Sequence, residues 1–267
     1  MVCKKKQYFC AILLVKCMER RGSFIASYYA QNVTDEDYQQ INVLVNAAKA
    51  FARTTHQCVY IIDFFKQEFL YVSENLAYWC GLSSEKIKDL SYNFYLDYIP
   101  EQELHTLLEI NKKGIEFLYE ISIEERLDYT LSYDFHLING RKQRLVNHHL
   151  TPVMLTKDGH IWLALCTFSM SAKTIPGDAI IKKPDSDSYY EYSFDKHKWL
   201  KREERILSET ERAILVLSAQ GHTMNDISDI LCKSIDTIKA NKKSLFSKMG
   251  VRSIAEAVSY ATYYKML

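Results

Sequence analysis

Hydrophobic positions between residues 207 and 267 recur at helical spacing, and helix-start signals divide them into four segments. Three starts have capping-box spacing, with a hydroxyl residue three positions before an acid: Ser208 with Glu211, Thr223 with Asp226, and Ser253 with Glu256. Ser234 marks a fourth start, because its hydroxyl can accept from a backbone N–H of the first helical turn. Gly221 and Gly250 stand where helices should end, since glycine adopts the left-handed conformation without steric cost. The pattern predicts four short helices, as in a compact DNA-binding fold.

The third of these helices separates apolar from basic positions. Advancing about 100° per residue from Ser234 gathers on one side the residues predicted to be buried: Ile235, Ile238, Leu245 and Met249. The opposite side carries Lys239, Ala240, Lys243 and Ser247. A small residue between two lysines lets a helix lie deep in a major groove, where the ammonium groups reach base edges or phosphates.

Further polar residues surround this basic face. Thr237, Asn241 and Lys248 lie toward its rim, where contact with phosphate is expected. Lys242 falls near the middle of the apolar arc, so its stem is expected to run along the edge of the core. Residues 234–249 hold four lysines and one acid, a net charge of +3. A solvated surface is the better interpretation of any single lysine, but the set as a whole favours DNA binding.

This C-terminal stretch resembles the DNA-binding domain of LuxR/FixJ-type bacterial transcription regulators. The matching elements are Leu207-Ser208, Glu211, Ala219-Gln220-Gly221, Asp226-Ile227-Ser228, Ser234, Thr237-Ile238-Lys239 and Lys248-Met249-Gly250-Val251. Asn241 and Asp226 depart from the His and Glu that are usual in the family, which puts base preference in doubt. The predicted DNA-contacting residues are Ser234, Thr237, Lys239, Ala240, Asn241, Lys243, Ser247 and Lys248.

The same resemblance implies a dimer on DNA. In the family the third helix enters the major groove and the fourth commonly helps to dimerise, which implies paired half-sites about one helical turn apart. The fourth helix here offers an apolar surface at helical spacing, formed by Ile254, Ala257, Val258 and Ala261. That surface could equally pack inside the domain.

The first two-thirds of the chain mix strand and helix patterns. A helix beginning at Thr34 precedes strands at 59–62 and 69–72, a mostly helical stretch from 74 to 118, and three further strands. Asn139-Gly140 and Lys157-Asp158-Gly159 mark the turns between these three strands. The last strand, 160–170, is apolar on both faces and is therefore predicted to lie centrally in the sheet.

This order of elements resembles a PAS domain over residues 55–172. Two segments resemble motifs of that family, Asn75-Leu76-Ala77-Tyr78-Trp79-Cys80-Gly81-Leu82 and Asp97-Tyr98-Ile99-Pro100-Glu101. In PAS domains the sheet and its helices enclose a pocket for haem, flavin or a small organic ligand, although many members bind nothing known. Candidate pocket residues here are Trp79, Cys80, His105, Tyr133, Phe135 and Trp162.

No cofactor can be identified from these residues. The cysteine motif of flavin photoreceptors is absent, and a lone helical histidine such as His105 is more often a surface or core residue than a haem ligand. His148 and His149 are adjacent on a strand and point to opposite faces, so they cannot chelate one metal together. A small-molecule ligand remains open, and no metal site or catalytic residue is predicted.

Residues 173–206 are predicted to be a linker with one strand. Tyr190, Tyr192 and Phe194 alternate there and would share one face, and the charge run over 196–205 predicts a solvated helix. The predicted fold class is therefore α+β, a PAS-like antiparallel sheet with helices followed by an all-α four-helix domain. Its parts are an N-terminal extension (1–33), a helix (34–54), the sensor (55–172), the linker (173–206) and the DNA-binding domain (207–267).

Composition narrows the class of protein. The 267 residues suit two modest domains, and a net charge of +1 gives no sign that a polyanion-binding or membrane-binding surface extends over the whole chain. Seven cysteines without a C-x-x-C pair indicate reduced thiols in a cytoplasmic protein. The apolar run 8–15 is too short to span a membrane and lacks a cleavage site, so an N-terminal helix, or a true start at Met18, is favoured over export.

Together these patterns predict a one-component transcription regulator that binds double-stranded DNA as a homodimer, leaving contact with RNA polymerase open. A signal in the N-terminal module would shift a two-state equilibrium of dimer geometry. The alternative is that residues 55–172 serve only as a protein-interaction module, with a partner protein as the regulatory event. An enzyme is the poorest interpretation, because no nucleophile, base and orienting group occur at recognisable spacing.

Overall fold

The computed structural model describes residues 32–171, 173–184, 186–203 and 207–263. These residues belong to two compact units, Met1–Lys201 and Arg202–Leu267, and the boundary falls within the stretch predicted to be a linker. The predicted N-terminal extension, with its apolar run, lies outside the described residues up to residue 31. Within the described ranges, no helix is both long enough and apolar enough to cross a membrane.

An eight-stranded sheet forms the first unit. Its strands are β1 (Cys58–Asp63), β2 (Glu68–Val72), β3 (Thr130–Asn139), β4 (Lys142–Leu155), β5 (Ile161–Met170), β6 (Gly177–Lys182), β7 (Ser188–Ser193) and β8 (Lys198–Glu203). They lie in the order β2-β1-β5-β4-β3-β6-β7-β8. β5 pairs with both β1 and β4, which confirms the central position predicted from its apolar residues.

Four helices cover one face of the sheet: α3 (Asn75–Cys80), α4 (Ser84–Leu90), α5 (Asn93–Tyr98) and α6 (Glu101–Glu120), which is followed by a 3-10 turn at Ile123–Glu125. They enclose the main hydrophobic core with alternate residues of β3, among them Tyr133, Phe135 and Leu137. The Asn75 side chain donates to the carbonyls of Ala52, Thr55 and Gln57. The motif residue therefore fastens the start of α3 to the preceding helix.

The N-terminal helical segment covers the other face. Thr34 and Asp37 form a capping box at the start of α1 (Asp35–Gln39), where the sequence predicts a helix to begin, and α2 (Ile41–Thr54) follows. A second hydrophobic cluster joins these helices to β1 and β5 through Ile41, Ala48 and Trp162. The α+β fold class and the predicted order of strands and helices are confirmed.

The prediction of a linker with one strand is wrong in its secondary structure. Residues 177–203 form three strands, β6 to β8, which extend the sheet from β3. The charge run predicted to be a solvated helix is instead largely β8, whose Lys198, Lys201 and Arg202 are exposed. Exposed charges are frequent on edge strands, because they discourage pairing with other chains, so charge density alone did not distinguish helix from strand here.

The second unit contains the four predicted helices: α7 (Glu209–Ala219), α8 (Met224–Ile230), α9 (Ile235–Met249) and α10 (Ile254–Tyr263). Capping boxes begin α7 at Ser208 and α8 at Thr223. Ser253 Oγ accepts from Glu256 N at 3.1 Å, ahead of α10. Gly250 ends α9 with φ +68°, in the left-handed region as predicted. Buried Ile214, Ile227 and Ile238 hold α7, α8 and α9 together.

Candidate nucleic-acid interface

The apolar side of α9 fixes the orientation of the helix. Ile238, Leu245 and Met249 are buried, as the helical spacing predicts. The prediction that Ile235 is buried is wrong, because this side chain in the first turn is 40% exposed. The core contacts of α9 therefore begin at Ile238.

The opposite side of α9 is open to solvent. The exposed residues among those predicted to contact DNA are Ser234, Thr237, Lys239, Ala240, Lys243 and Ser247, whereas Asn241 is half-buried. Lys239, Ala240 and Lys243 share one face, with the small Ala240 between the lysine stems. The side facing solvent thus has the shape and charge that close approach to a polyanion requires.

Local hydrogen bonds occupy several of these polar groups. Ser234 Oγ accepts from Thr237 N at 3.2 Å, so Ser234 is the N-cap of α9. Asn241 Nδ2 donates to Thr237 O at 2.9 Å. Lys239 Nζ lies 3.3 Å from Asp236 Oδ1 in an exposed pair, and solvent screening keeps such pairs weak. The Lys239 ammonium can therefore exchange this partner for a phosphate or a base at little cost.

Lys248 differs from the other lysines of α9. Its Nζ lies 2.7 Å from Glu211 Oε2, and Glu211 is almost completely buried. The expectation that this ammonium is placed for phosphate contact is therefore corrected: Lys248 ties α9 to the start of α7. Lys242 is half-buried, with its Nζ 5.7 Å from the centre of the Phe246 ring, as predicted for a stem along the core edge.

Glu211 is the residue whose role the sequence did not reveal. Its carboxylate accepts from Ser208 N at 2.7 Å, Ser244 Oγ at 2.6 Å and Lys248 Nζ at 2.7 Å. Burial alone would raise its pKa, but the hydrogen bonds from Lys248, Ser244 and Ser208 outweigh this effect and hold the pKa at about 2. The capping-box spacing located Glu211 without indicating that it also anchors α9.

The connection between α8 and α9 is short and tightly bonded. Lys233 N donates to Ser228 O at 3.0 Å, and Ser228 Oγ donates to Lys233 O at 2.5 Å. Cys232 in this turn has φ +50°, and its thiol is exposed. With Ile227 and Ile238 packed together on either side of the turn, α8 and α9 form a fixed helix-turn-helix pair.

The candidate pocket residues of the first unit do not all come together. Trp79, Cys80, Tyr133 and Phe135 contribute to the main core. His105 is exposed on α6, and Trp162 lies in the separate cluster beneath α1 and α2. The placement of His105 and Trp162 in one pocket with the others is therefore wrong. The secondary structure of a residue does not show which face of the sheet its side chain packs against. That is settled only when the helices dock on the sheet.

The same core contains a chain of hydrogen-bonded polar side chains that the sequence did not indicate. Tyr60 Oη lies 2.6 Å from Tyr95 Oη and 2.6 Å from His148 Nε2, and all three side chains are buried. Tyr133 Oη donates to Asn111 Oδ1 at 3.1 Å beside them. Burial lowers the pKa of His148 to about 3, so this imidazole is neutral.

Comparison with known proteins finds a family model that matches part of the chain. Residues 205–261 match the family model described as "Bacterial regulatory proteins, luxR family". The transcriptional activator protein BglJ of Escherichia coli (strain K12) is 41% identical over 59 residues, 22% of this chain and 26% of that protein. The oxygen regulatory protein NreC of Staphylococcus aureus (strain JH9) is 38% identical over 63 residues, 24% of this chain and 29% of that protein. The chain thus spans little more than a quarter of these curated relatives.

Solved structures resemble longer parts of the chain at lower similarity. The phage VqmA–DPO complex covers 87% of this chain and 91% of its own, with 13% identity and a TM-score of 0.30. A PAS domain from Colwellia psychrerythraea covers 48% of this chain and 97% of its own, with 12% identity and a TM-score of 0.35.

Proposed function

We propose that the protein is a sequence-specific DNA-binding transcription regulator, since residues 205–261 match the family model described as "Bacterial regulatory proteins, luxR family". The observation that carries this proposal is the geometry of α9. Ile238, Leu245 and Met249 hold one side of the helix in the core while Lys239 and Lys243 face solvent. A helix anchored in this way can enter a major groove without rearranging the domain.

Individual residues of α9 have different proposed tasks. Lys239 and Lys243 reach base edges or phosphates, and Ala240 permits close approach to the groove. Ser234 and Thr237 lie at the helix N-terminus, where backbone N–H groups favour a phosphate oxygen. Ser247 extends the same side, and the amide oxygen of Asn241 can contact DNA while its Nδ2 remains bonded to Thr237. Lys248 is not included among the proposed DNA-contacting residues, because its ammonium is paired with Glu211.

We propose that the regulator acts in the cytoplasm as a homodimer on paired half-sites. Ala257 and Ala261 of α10 are buried within the domain, whereas Ile254 and Val258 are only partly buried. All four residues therefore lie in or pack against one internal cluster, so the apolar surface of α10 is used within the domain. The homodimer is proposed from the family match of this domain.

We propose that the first unit supplies the signal. The PAS-like sheet encloses a core in which Tyr60, Tyr95 and His148 form a buried polar chain. Buried hydroxyl and imidazole groups can exchange internal hydrogen bonds for bonds to a small polar ligand, and a ligand that prefers one conformation shifts the population toward it. Calorimetric titration with candidate metabolites, comparing wild type with Tyr60→Phe, would detect such binding.

DNA binding by α9 is tested with Lys239→Ala, Lys243→Ala and the double variant. Bound genomic fragments, captured with the wild-type protein, supply the operator, and fluorescence anisotropy measures affinity at several salt concentrations. Each single substitution should cost about 1–3 kcal/mol if the lysine reads a base, and the double variant should also flatten the salt dependence.

Lys86→Ala in α4 is the matched control, since Lys86 is exposed on a helix of the other unit. Its affinity and salt dependence should equal those of wild type. Wild-type affinity for the operator in the Lys239→Ala/Lys243→Ala variant at moderate salt would refute the assignment of α9.

A further inference from the structure

A carboxyl group and a carboxamide face each other on the sheet surface opposite the main core. Asp134 of β3 and Asn147 of β4 are directly paired in the antiparallel register. Their strand neighbours Tyr133 and His148 point to the other face, into the core. Both polar residues are nevertheless only 2% exposed. Asn147 Nδ2 donates to Asp134 Oδ1 at 3.0 Å.

The remaining two oxygen atoms of this pair are both buried. Neither Asp134 Oδ2 nor Asn147 Oδ1 has a hydrogen-bond partner within bonding distance among the described residues, although the Ser171 side chain also interacts with the Asp134 carboxyl group as a hydrogen-bond donor. Two acceptors without a donor leave buried polar groups unsatisfied, at about 1–3 kcal/mol each. One proton on Asp134 Oδ2, donated to Asn147 Oδ1, would satisfy both oxygens and close a cyclic pair of hydrogen bonds.

The charged groups around the pair come from four elements. Lys173, in the connection from β5 to β6, interacts electrostatically with Asp134 and Glu191 and forms an ion pair with Asp178 of β6. His149 of β4 lies farther along the same face, with Nδ1 2.6 Å from Ser132 Oγ. Burial raises the pKa of Asp134, although Ser171, Lys173 and Asn147 oppose this effect. The single nearby cation therefore does not outweigh burial.

We propose that Asp134 holds a proton shared with Asn147 in the folded protein near neutral pH, and that this site controls the β5–β6 connection. When base removes the proton to solvent, the carboxylate that remains is buried beside the Asn147 amide oxygen. Lys173 is the nearest cation and would move from Asp178 to Asp134. Ser171 N, which donates to Leu145 O at 3.0 Å, lies in the same connection and would be displaced with it.

The direction of the pH effect follows from the tighter proton binding of the folded state. The stabilisation is complete at low pH and is lost as pH rises through the folded-state pKa of Asp134. Between the ordinary pKa of an unfolded aspartate and the raised folded-state pKa, the equilibrium constant for folding of the first unit should fall by about tenfold per pH unit for one linked proton, and above the folded-state pKa this group should add no further pH dependence. Asp134→Asn replaces the acid with a second amide, which can form the same cyclic pair without a proton, and should remove this dependence.

Infrared spectroscopy tests the proton directly. Full-length protein with ¹³C-labelled aspartate should show a protonated-carboxyl band near neutral pH that disappears on titration with base. The band should be missing from Asp134→Asn and retained in Asp97→Asn, whose exposed carboxyl in α5 serves as the control. The protection factor of the Ser171 amide, which is the intrinsic base-catalysed exchange rate divided by the observed rate, should fall over the same pH range in wild type and in Asp97→Asn, but not in Asp134→Asn.

Absence of the band from wild type at every pH where the protein is folded would overturn the proposal, and would point to a bridging water or cation between the oxygens. A band that persists in Asp134→Asn would also overturn it, because the proton would then belong to another aspartate. If Asp134→Asn does not fold, wild type still tests the proposal. Its protonated-carboxyl band and the protection of its Ser171 amide should be lost over the same pH range. DNA binding is not measured, so failure here leaves the proposed function untouched.

Discussion

Lys248 illustrates how two lysines on one helix can have unrelated tasks. Its ammonium is 2.7 Å from the carboxylate of buried Glu211, whereas the Lys243 side chain is exposed. Helical spacing distinguishes the two sides of α9, but it contains no information about an acid contributed by α7. The partner exists only after α7 and α9 have packed.

Lys248→Ala should destabilise the second unit by about 3 kcal/mol, because it leaves the Glu211 carboxylate buried without its cation. Hydrogen exchange of α9 backbone amides in the full-length protein would measure the change. Lys243→Ala is the matched control and should alter stability by less than about 0.5 kcal/mol. Equal exchange rates in both variants would contradict the assigned role of Lys248.

The β7–β8 hairpin shows that local sequence patterns also do not reveal which elements pack together. Tyr190 and Tyr192 alternate as the sequence predicts, and their rings pack against Phe117 of α6 and Trp199 of β8. Trp199 Nε1 also donates to Lys113 O at 2.9 Å. The aromatic residues thus dock the hairpin on α6, and the last strand belongs to the first unit's sheet.

Trp199→Ala should lower the free energy of unfolding of the first unit by about 2 kcal/mol, less than a fully buried tryptophan because the ring is half-buried. Chemical denaturation followed by circular dichroism would measure it. Lys201→Ala in the same strand removes an exposed side chain and should have little effect. If both variants unfold like wild type, the hairpin does not contribute to the stability of the unit.

At the scale of the whole molecule, each unit has its own hydrophobic core. The second unit is held by Leu215, Leu245 and Ala257 in one cluster and by Ile214, Ile227 and Ile238 in another. A unit with a separate core can fold alone. The proposed DNA contact and the proposed signal reception are therefore physically separable in this chain.

A fragment covering residues 202–267 should fold and bind the operator, with the same loss on Lys239→Ala/Lys243→Ala as the full-length protein. Its affinity should be weaker if the first unit contributes to the dimer, since two linked half-sites raise the effective concentration. Mobility-shift titrations of fragment and full-length protein on one operator would compare them. A folded fragment with no affinity for the operator would locate DNA binding elsewhere.

The sequence by itself determined the four C-terminal helices, their caps, the buried and exposed sides of most of α9, and the succession of PAS-like elements. These features depend on periodicity and on contacts within a few residues, so they are encoded locally. It also located the alternation of Tyr190, Tyr192 and Phe194, although not the sheet that this strand joins.

Only the tertiary structure decided which side chains from distant elements meet. The Glu211–Lys248 pair, the separation of Trp162 from Tyr133, and the hydrogen bond from Asn147 to Asp134 all depend on docking and strand register. Such contacts join residues far apart in sequence, and no local pattern records which of many compatible partners is chosen. Burial then sets their charge state, because removing a group from water shifts its protonation.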